Sequence, residues 1–196
     1  MYSKEQIEAA MLKKGYKWFT NGDLDVNIVG IRNKKTNDKV TNLFDDIITI
    51  SFKEGGEWKY FEWPITTDPG TKAMQTVTNP IGVAILVPGQ YRSAYYIGMH
   101  KGKYEALCQS KPLTVFRDAN KDTKFDEVKP QTGLFGINIH KSNSKTESTW
   151  VENWSEGCQV FKKAKDFAEF MAICKRASKI HGNSFTYTLL ESDDII

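Results

Sequence analysis

The stretch Leu134-Phe135-Gly136-Ile137-Asn138-Ile139-His140 is an apolar run that delivers a histidine at its end. A mostly polar loop follows, from Lys141 to Trp154, and the chain then reads Ser155-Glu156-Gly157-Cys158. An imidazole and a thiol are thus supplied from the two ends of one loop. A free thiol titrates at about 8.5, so it needs a base or a positive field before it attacks a carbonyl at neutral pH. Cys158 is the candidate nucleophile and His140 its general base. Gly157 permits a tight turn, which would aim the N–H groups of Gly157 and Cys158 at a developing oxyanion. Ser155 is placed to orient His140 or a substrate group. The alternative gives both residues packing roles only: a small buried cysteine and a histidine at a loop edge.

Outward from this stretch, the chain reads as β-rich. Trp18-Phe19-Thr20 and Val26 to Ile31 flank an Asn21-Gly22 turn signal, and Ile47 to Phe52 and Trp58 to Trp63 flank Gly55-Gly56, a strong hairpin signal. Pro64 is expected to end the second of these strands. Residues 65 to 80, with Asp68-Pro69-Gly70 and Asn79-Pro80, read as a long loop with local order. Gly82 to Val87 has the apolar run of a buried strand. Tyr91 to Met99 and Tyr104 to Cys108 form a second predicted hairpin, and Leu113 to Phe116 and Phe185 to Leu190 are further strands. Ser3-Lys4-Glu5-Gln6 is a capping box ahead of a short helix. Ala164 to His181 is the one long helix, with Phe167, Phe170, Met171 and Cys174 on one face and Gly182 as its stop. The expectation is an α+β chain, predominantly antiparallel β, with a short N-terminal helix and one long helix after Cys158. Residues 1–196 read as a single domain, with 1–16 as a helical extension.

Composition narrows the function classes. The chain has 196 residues, 40% apolar and 26% charged, which is globular and not disordered. A formal charge of +3 with scattered lysines argues against nucleic acid as a partner. Three cysteines cannot all pair within the chain, and no C-x-x-C spacing suggests zinc or a redox motif. Cys108 and Cys174 read as core residues. No signal peptide and no membrane span are visible, so cytoplasmic synthesis is expected.

The spacing from His140 to Ser155-Glu156-Gly157-Cys158 resembles the catalytic motif of the L,D-transpeptidase domain, the penicillin-insensitive peptidoglycan cross-linking family. That motif runs from a histidine across a loop of comparable length to Ser/Thr-His-Gly-Cys. The resemblance implies a β-rich fold, Cys158 as nucleophile, His140 as base, and peptidoglycan stem peptides as substrate, with no cofactor required. It implies a thioacyl-enzyme resolved by an amine, as an L,D-transpeptidase, or by water, as an L,D-peptidase. Three positions depart from the family: Glu156 stands for its second histidine, Lys141 for a glycine after the first, and Val160 for an arginine after the cysteine. Arg92 is a candidate replacement for that arginine. A divergent member of phage type, released to the cell wall or carried in a virion, fits the missing export signal. The competing reading, resting on the three departures, is a non-catalytic binding or virion structural module that keeps the fold.

Two further features call for assignment. Asp118, Asn120, Asp122 and Asp126 occupy positions 1, 3, 5 and 9 of a calcium-loop pattern, with the Lys124 carbonyl at position 7, a potential structural Ca2+ site. Thr123 stands where that pattern needs glycine, and the competing reading is a solvated Asx-rich turn. His100, at a hairpin tip beside Lys101, is expected to be exposed, while Trp150 and Trp154 offer either stacking surfaces or anchors for the loop.

Overall fold

The computed structural model describes residues 1–33, 39–76, 79–125, 129–143 and 145–195. The frame is a closed barrel of eight strands. They are β1 (Asn27–Arg32), β2 (Asp46–Glu54), β3 (Glu57–Thr66), β5 (Gly89–His100), β6 (Tyr104–Gln109), β9 (Ile139–Lys141), β10 (Gln159–Phe161) and β11 (Phe185–Glu191). Around the barrel their order is β1-β11-β5-β6-β9-β10-β3-β2. A separate three-stranded sheet, in the order β4-β7-β8, is built from β4 (Val83–Leu86), β7 (Leu113–Asp118) and β8 (Lys129–Gly133).

The expected β-rich chain with a short N-terminal helix and a long helix after Cys158 is present, and closure into a barrel is the feature the expectation did not contain. Two of the barrel's joins are parallel, β1 with β11 and β9 with β10. Neither could come from a hairpin, because parallel partners need a crossover. The long helix, α3 (Ala164–His181), lies in the chain between β10 and β11, which are not neighbours in the barrel.

Alternation sorts the side chains. Ile48, Ile50 and Phe52 of β2 and Phe185, Tyr187 and Leu189 of β11 join one buried core with Leu107, Ile139 and Phe161. The α3 face of Phe167, Phe170, Met171, Cys174 and Ala177 packs on the same core. The opposite faces of β1 and β11 present Val29, Ile31 and Leu190 to Ile7, Ala10 and Met11 of α1 (Lys4–Lys13). The predicted capping box at Ser3 and Gln6 is formed in full.

The Gly55-Gly56 hairpin forms in the expected place. Lys53 pairs with Trp58 and Glu54 with Glu57, and both glycines have positive φ, +60° and +84°, as a type I′ turn requires. The Tyr91 to Cys108 hairpin also forms, as β5 and β6. Three local expectations fail for identifiable reasons, and the expected local order of the 65–80 loop takes a definite form. Trp18 to Thr20 is not a strand, because Phe19 spends its backbone N–H and C=O on the Asn27 side chain. Pro64 does not end β3: its carbonyl accepts the Lys162 N–H at the end of the β10 contact, and the ladder loses only one bond there. The loop from 65 to 80 contains a short helix, α2 (Thr71–Thr76). The run before His140 is a strand only from Ile139, because Gly136 adopts a positive φ and the side chain of Gln109 takes up the Phe135 and Ile137 N–H groups.

A buried polar knot ties the second sheet to the barrel. The Arg32 guanidinium donates to Thr67 Oγ1, the Thr67 carbonyl and the Leu86 carbonyl, and lies 3.3 Å from Asp68 Oδ1. Asp46 accepts from both the N–H and hydroxyl of Thr67. Removing one partner of such a buried pair leaves the other charge uncompensated, at a cost of about 3–5 kcal/mol. Arg32→Met is therefore expected to lower unfolding stability by about that amount in a urea titration. A loss under about 1 kcal/mol would show that the knot holds nothing together.

Candidate active site

The two ends of the 140–158 loop meet because β9 and β10 pair in parallel. Ile139 is opposite Gln159, His140 opposite Val160 and Lys141 opposite Phe161. Cys158 comes just before β10, and its sulfur lies against the Asn138 N–H and the Gly136 carbonyl, in the segment that leads into β9. Ile139 and Phe161 join the core. His140 and Cys158 line one pocket of about 620 Å³, whose walls also include His100, Asn138, Ala84, Arg117 and Trp154.

The turn that presents the thiol is held from three sides. Ser155 Oγ donates to the Cys158 carbonyl at 2.9 Å and accepts the Gly157 N–H at 3.2 Å. The Ser155 carbonyl accepts the Gly70 N–H, and the Glu156 carbonyl accepts the Ala84 N–H. Gly157, at φ +132°, lies so close to β4 that a Cβ would stand 2.7 Å from the Ala84 carbonyl oxygen. A side chain at 157 is therefore excluded by both conformation and space.

These contacts correct two expected roles. Ser155 is buried inside the turn and orients it, not His140. The Gly157 N–H is spent on Ser155, so it is not an oxyanion donor; the Cys158 N–H is the member of the expected pair that no described residue takes up.

His140 is fixed by the backbone. Its Nδ1 lies 2.8 Å from the Lys141 carbonyl, which can only accept, so Nδ1 carries the proton and Nε2 the lone pair. The Tyr104 hydroxyl donates to the same carbonyl at 3.2 Å. Because a main-chain oxygen does this work, the interaction does not depend on the side chain at 141. Burial, reinforced by the nearby His100 and Lys101, drives His140 down to about 3, against a smaller upward pull from the Lys141 carbonyl. At neutral pH the ring is an uncharged base.

Cys158 is partly exposed. The protein packed round its sulfur pushes the thiol up to about 11, opposed by the Asn138 N–H that points at it. Sγ donates to the Gly136 carbonyl and accepts from Asn138, both at 3.4 Å. The resting site is thus a neutral thiol, donating to the Gly136 carbonyl, and a neutral imidazole lining the same pocket. Cys108 and Cys174 are buried and their thiols are raised by burial.

Sequence reasoning missed the second imidazole. His100 is buried, not exposed, and its ring stacks on His140 with centroids 4.2 Å apart and planes 22° apart. It ends β5, and only barrel closure brings that end over β9. Arg92 lies elsewhere, over the Phe19 ring, and does not line the pocket. The cations that do are Arg117 and Lys101. Trp154 joins the pocket wall, whereas Trp150, also exposed, does not.

In the acidic loop, Asp118 Oδ1 accepts the Asn120 N–H, Asn120 Oδ1 the Asp122 N–H, and Asp122 Oδ1 the Lys124 N–H. These are successive Asx turns. Asp126 lies outside the described residues, and among those described no three His, Cys, Asp or Glu side chains converge as metal ligands.

Compared with models of known families, with curated proteins and with solved structures, the chain matches none. No helix among the described residues is long and apolar enough to cross a membrane.

The depressed His140 has a consequence for stability. Its folded value of about 3 lies below the 6.5 of a free histidine. Between these limits the unfolded chain binds a proton that the folded chain refuses, so stability is lost as pH falls through that window. The loss attributable to this one group is up to roughly 5 kcal/mol. His140→Gln should remove it: the stability gap between wild type and variant should move in the variant's favour by several kcal/mol from pH 7 to pH 4. A gap that stays constant across that range would contradict a buried neutral His140.

Proposed function

We propose that this chain is a cysteine acyl-transfer enzyme of L,D-transpeptidase type, acting on peptidoglycan stem peptides through a thioacyl intermediate. The observation that carries the proposal is the fixed tautomer of His140, which leaves a lone pair on Nε2 of a ring that lines the same pocket as Cys158. The substrate class rests on the resemblance of the His140–Cys158 motif. Arg117, Lys101 and Trp154 in the pocket wall suit a peptide that carries carboxylates and apolar carbon.

The chemistry follows from a neutral pair. Rotation about χ1 of Cys158 exchanges the Gly136 carbonyl for His140 Nε2 as acceptor of the thiol proton. Nε2 takes that proton as sulfur bonds to the scissile carbonyl carbon, and the carbonyl electron pair moves to oxygen beside the Cys158 N–H. Collapse of the tetrahedral adduct breaks the C–N bond, and the leaving amine takes the proton from Nε2. An incoming amine or water then gives its proton to Nε2 and displaces the thiol, yielding a cross-link or a hydrolysed peptide.

The thiol raised to about 11 and held on Gly136 favours a second reading, a peptidoglycan-binding or virion structural module that keeps the fold without turnover. Purified sacculi incubated with wild type and with Cys158→Ala separate the two. Mass spectrometry of the muropeptides should show new L,D cross-links or shortened stem peptides with wild type alone. Identical muropeptides from both would favour the binding module and sink the enzyme.

A further inference from the structure

Asn138 determines what His100 can do. The Asn138 Oδ1 accepts the Gln109 backbone N–H at 2.9 Å, which fixes the amide's orientation, since a main-chain N–H must meet an oxygen. Its Nδ2 is therefore the donor in the 3.1 Å contact with His100 Nδ1. His100 Nδ1 must then accept, and in the neutral ring the proton sits on Nε2. Burial, with Lys101 and Lys103 nearby, lowers His100 and keeps the ring neutral.

The two stacked imidazoles thus hold opposite tautomers. His140 presents a lone pair at Nε2 and His100 presents an N–H at Nε2. Among the described residues neither Nε2 has a hydrogen-bond partner. Neither is among the fully enclosed polar atoms that lack one, so both open onto the pocket they line. The charged groups facing His100 are Lys101 and Lys103 of its own hairpin, and His140 from β9.

We propose that His100 is a further catalytic residue of this site, whose Nε2–H donates to the carbonyl oxygen of the acyl group that Cys158 attacks. It replaces the Gly157 N–H, which the Ser155 hydroxyl has taken, as the second oxyanion donor beside the Cys158 N–H. A neutral imidazole is suited to this position. It strengthens its hydrogen bond as charge develops on oxygen, yet adds no positive charge next to the His140 imidazolium that forms in the same step. His100 keeps its proton throughout, so the proton balance between Cys158, His140 and the leaving group is unchanged. This inference rests on the acyl-transfer reading and adds a residue to it.

The test compares two reactions of the same thiol. Iodoacetamide alkylates sulfur without passing through an oxyanion; p-nitrophenyl acetate acylates it through one and releases p-nitrophenolate as a burst. His100→Phe keeps a flat ring against His140 but has no N–H, and His100→Gln restores a donor. In His100→Phe, alkylation of Cys158 should stay within about threefold of wild type, while the acylation burst slows about 100-fold. His100→Gln should recover part of the burst rate. Cys108 and Cys174 remaining unlabelled in the variants reports an intact core. Equal losses in both reactions, or an unchanged burst rate, would overturn the assignment while leaving Cys158 and His140 in place. A wild-type burst no larger than that of Cys158→Ala would instead remove the acyl-transfer reading, and this role with it.

Discussion

The site depends on a three-residue parallel pairing between β9 and β10. Those few residues close the barrel between β6 and β3, and they bring His140 and Cys158, which precedes β10, to one pocket. A slip of β10 by one residue would turn Phe161 out of the core and Val160 into it. The pairing is short, so its register is enforced from outside. Gln159 donates from Nε2 to the Gly157 carbonyl and accepts the Tyr187 hydroxyl inside the barrel. Ile139 and Phe161 fill the core from the same side, and the Ser142 N–H continues the ladder to the Phe161 carbonyl. The opposite face holds Val160 against Phe44 and Val151, with Cys158 packed at the edge of that cluster.

The chemistry is prepared mainly by backbone groups and one amide. The Lys141 carbonyl sets the tautomer of His140, Asn138 sets that of His100, and the Asn138 N–H and Gly136 carbonyl hold the sulfur. The side chains of Lys141, Val160 and Glu156 take no part in these bonds. Lys141 acts through its main chain and extends its ammonium over the Tyr104 ring; Val160 is a core residue; Glu156 docks the turn on Ala84 through its carbonyl. Burial disfavours charge on both partners, which makes the resting pair neutral. A preformed thiolate–imidazolium pair would instead have to overcome the desolvation of two charges in the same pocket.

Much of the fold was legible where the cause is local. The Gly55-Gly56 turn, the Ser3 capping box and the apolar stripe of α3 are decided within a few residues of themselves. Barrel closure and the two parallel joins were not legible, since they follow from contacts between strands far apart in sequence. The site divides the same way. Cys158 and His140 stood out through their spacing around one loop. Their fixing groups, Asn138 and the Lys141 carbonyl, did not, because a carbonyl is present at every position and an asparagine in an apolar run has no distinctive pattern. His100 looked exposed because Lys101-Gly102-Lys103 follows it, whereas the fold buries it under His140. Ser155 was visible as a polar neighbour of the cysteine, but only the geometry shows that its hydroxyl is consumed within the turn.

The most direct test of the account is the protonation state of His140 in the folded protein. Two-bond 1H–15N correlation spectra of the imidazoles distinguish the tautomers and follow each ring through titration. At neutral pH His140 should show a protonated Nδ1 and a bare Nε2, and it should remain so down to pH 5, well below the ordinary titration of histidine. A proton on Nε2 at neutral pH, or an imidazolium forming near pH 6.5, would contradict a base held ready by the Lys141 carbonyl.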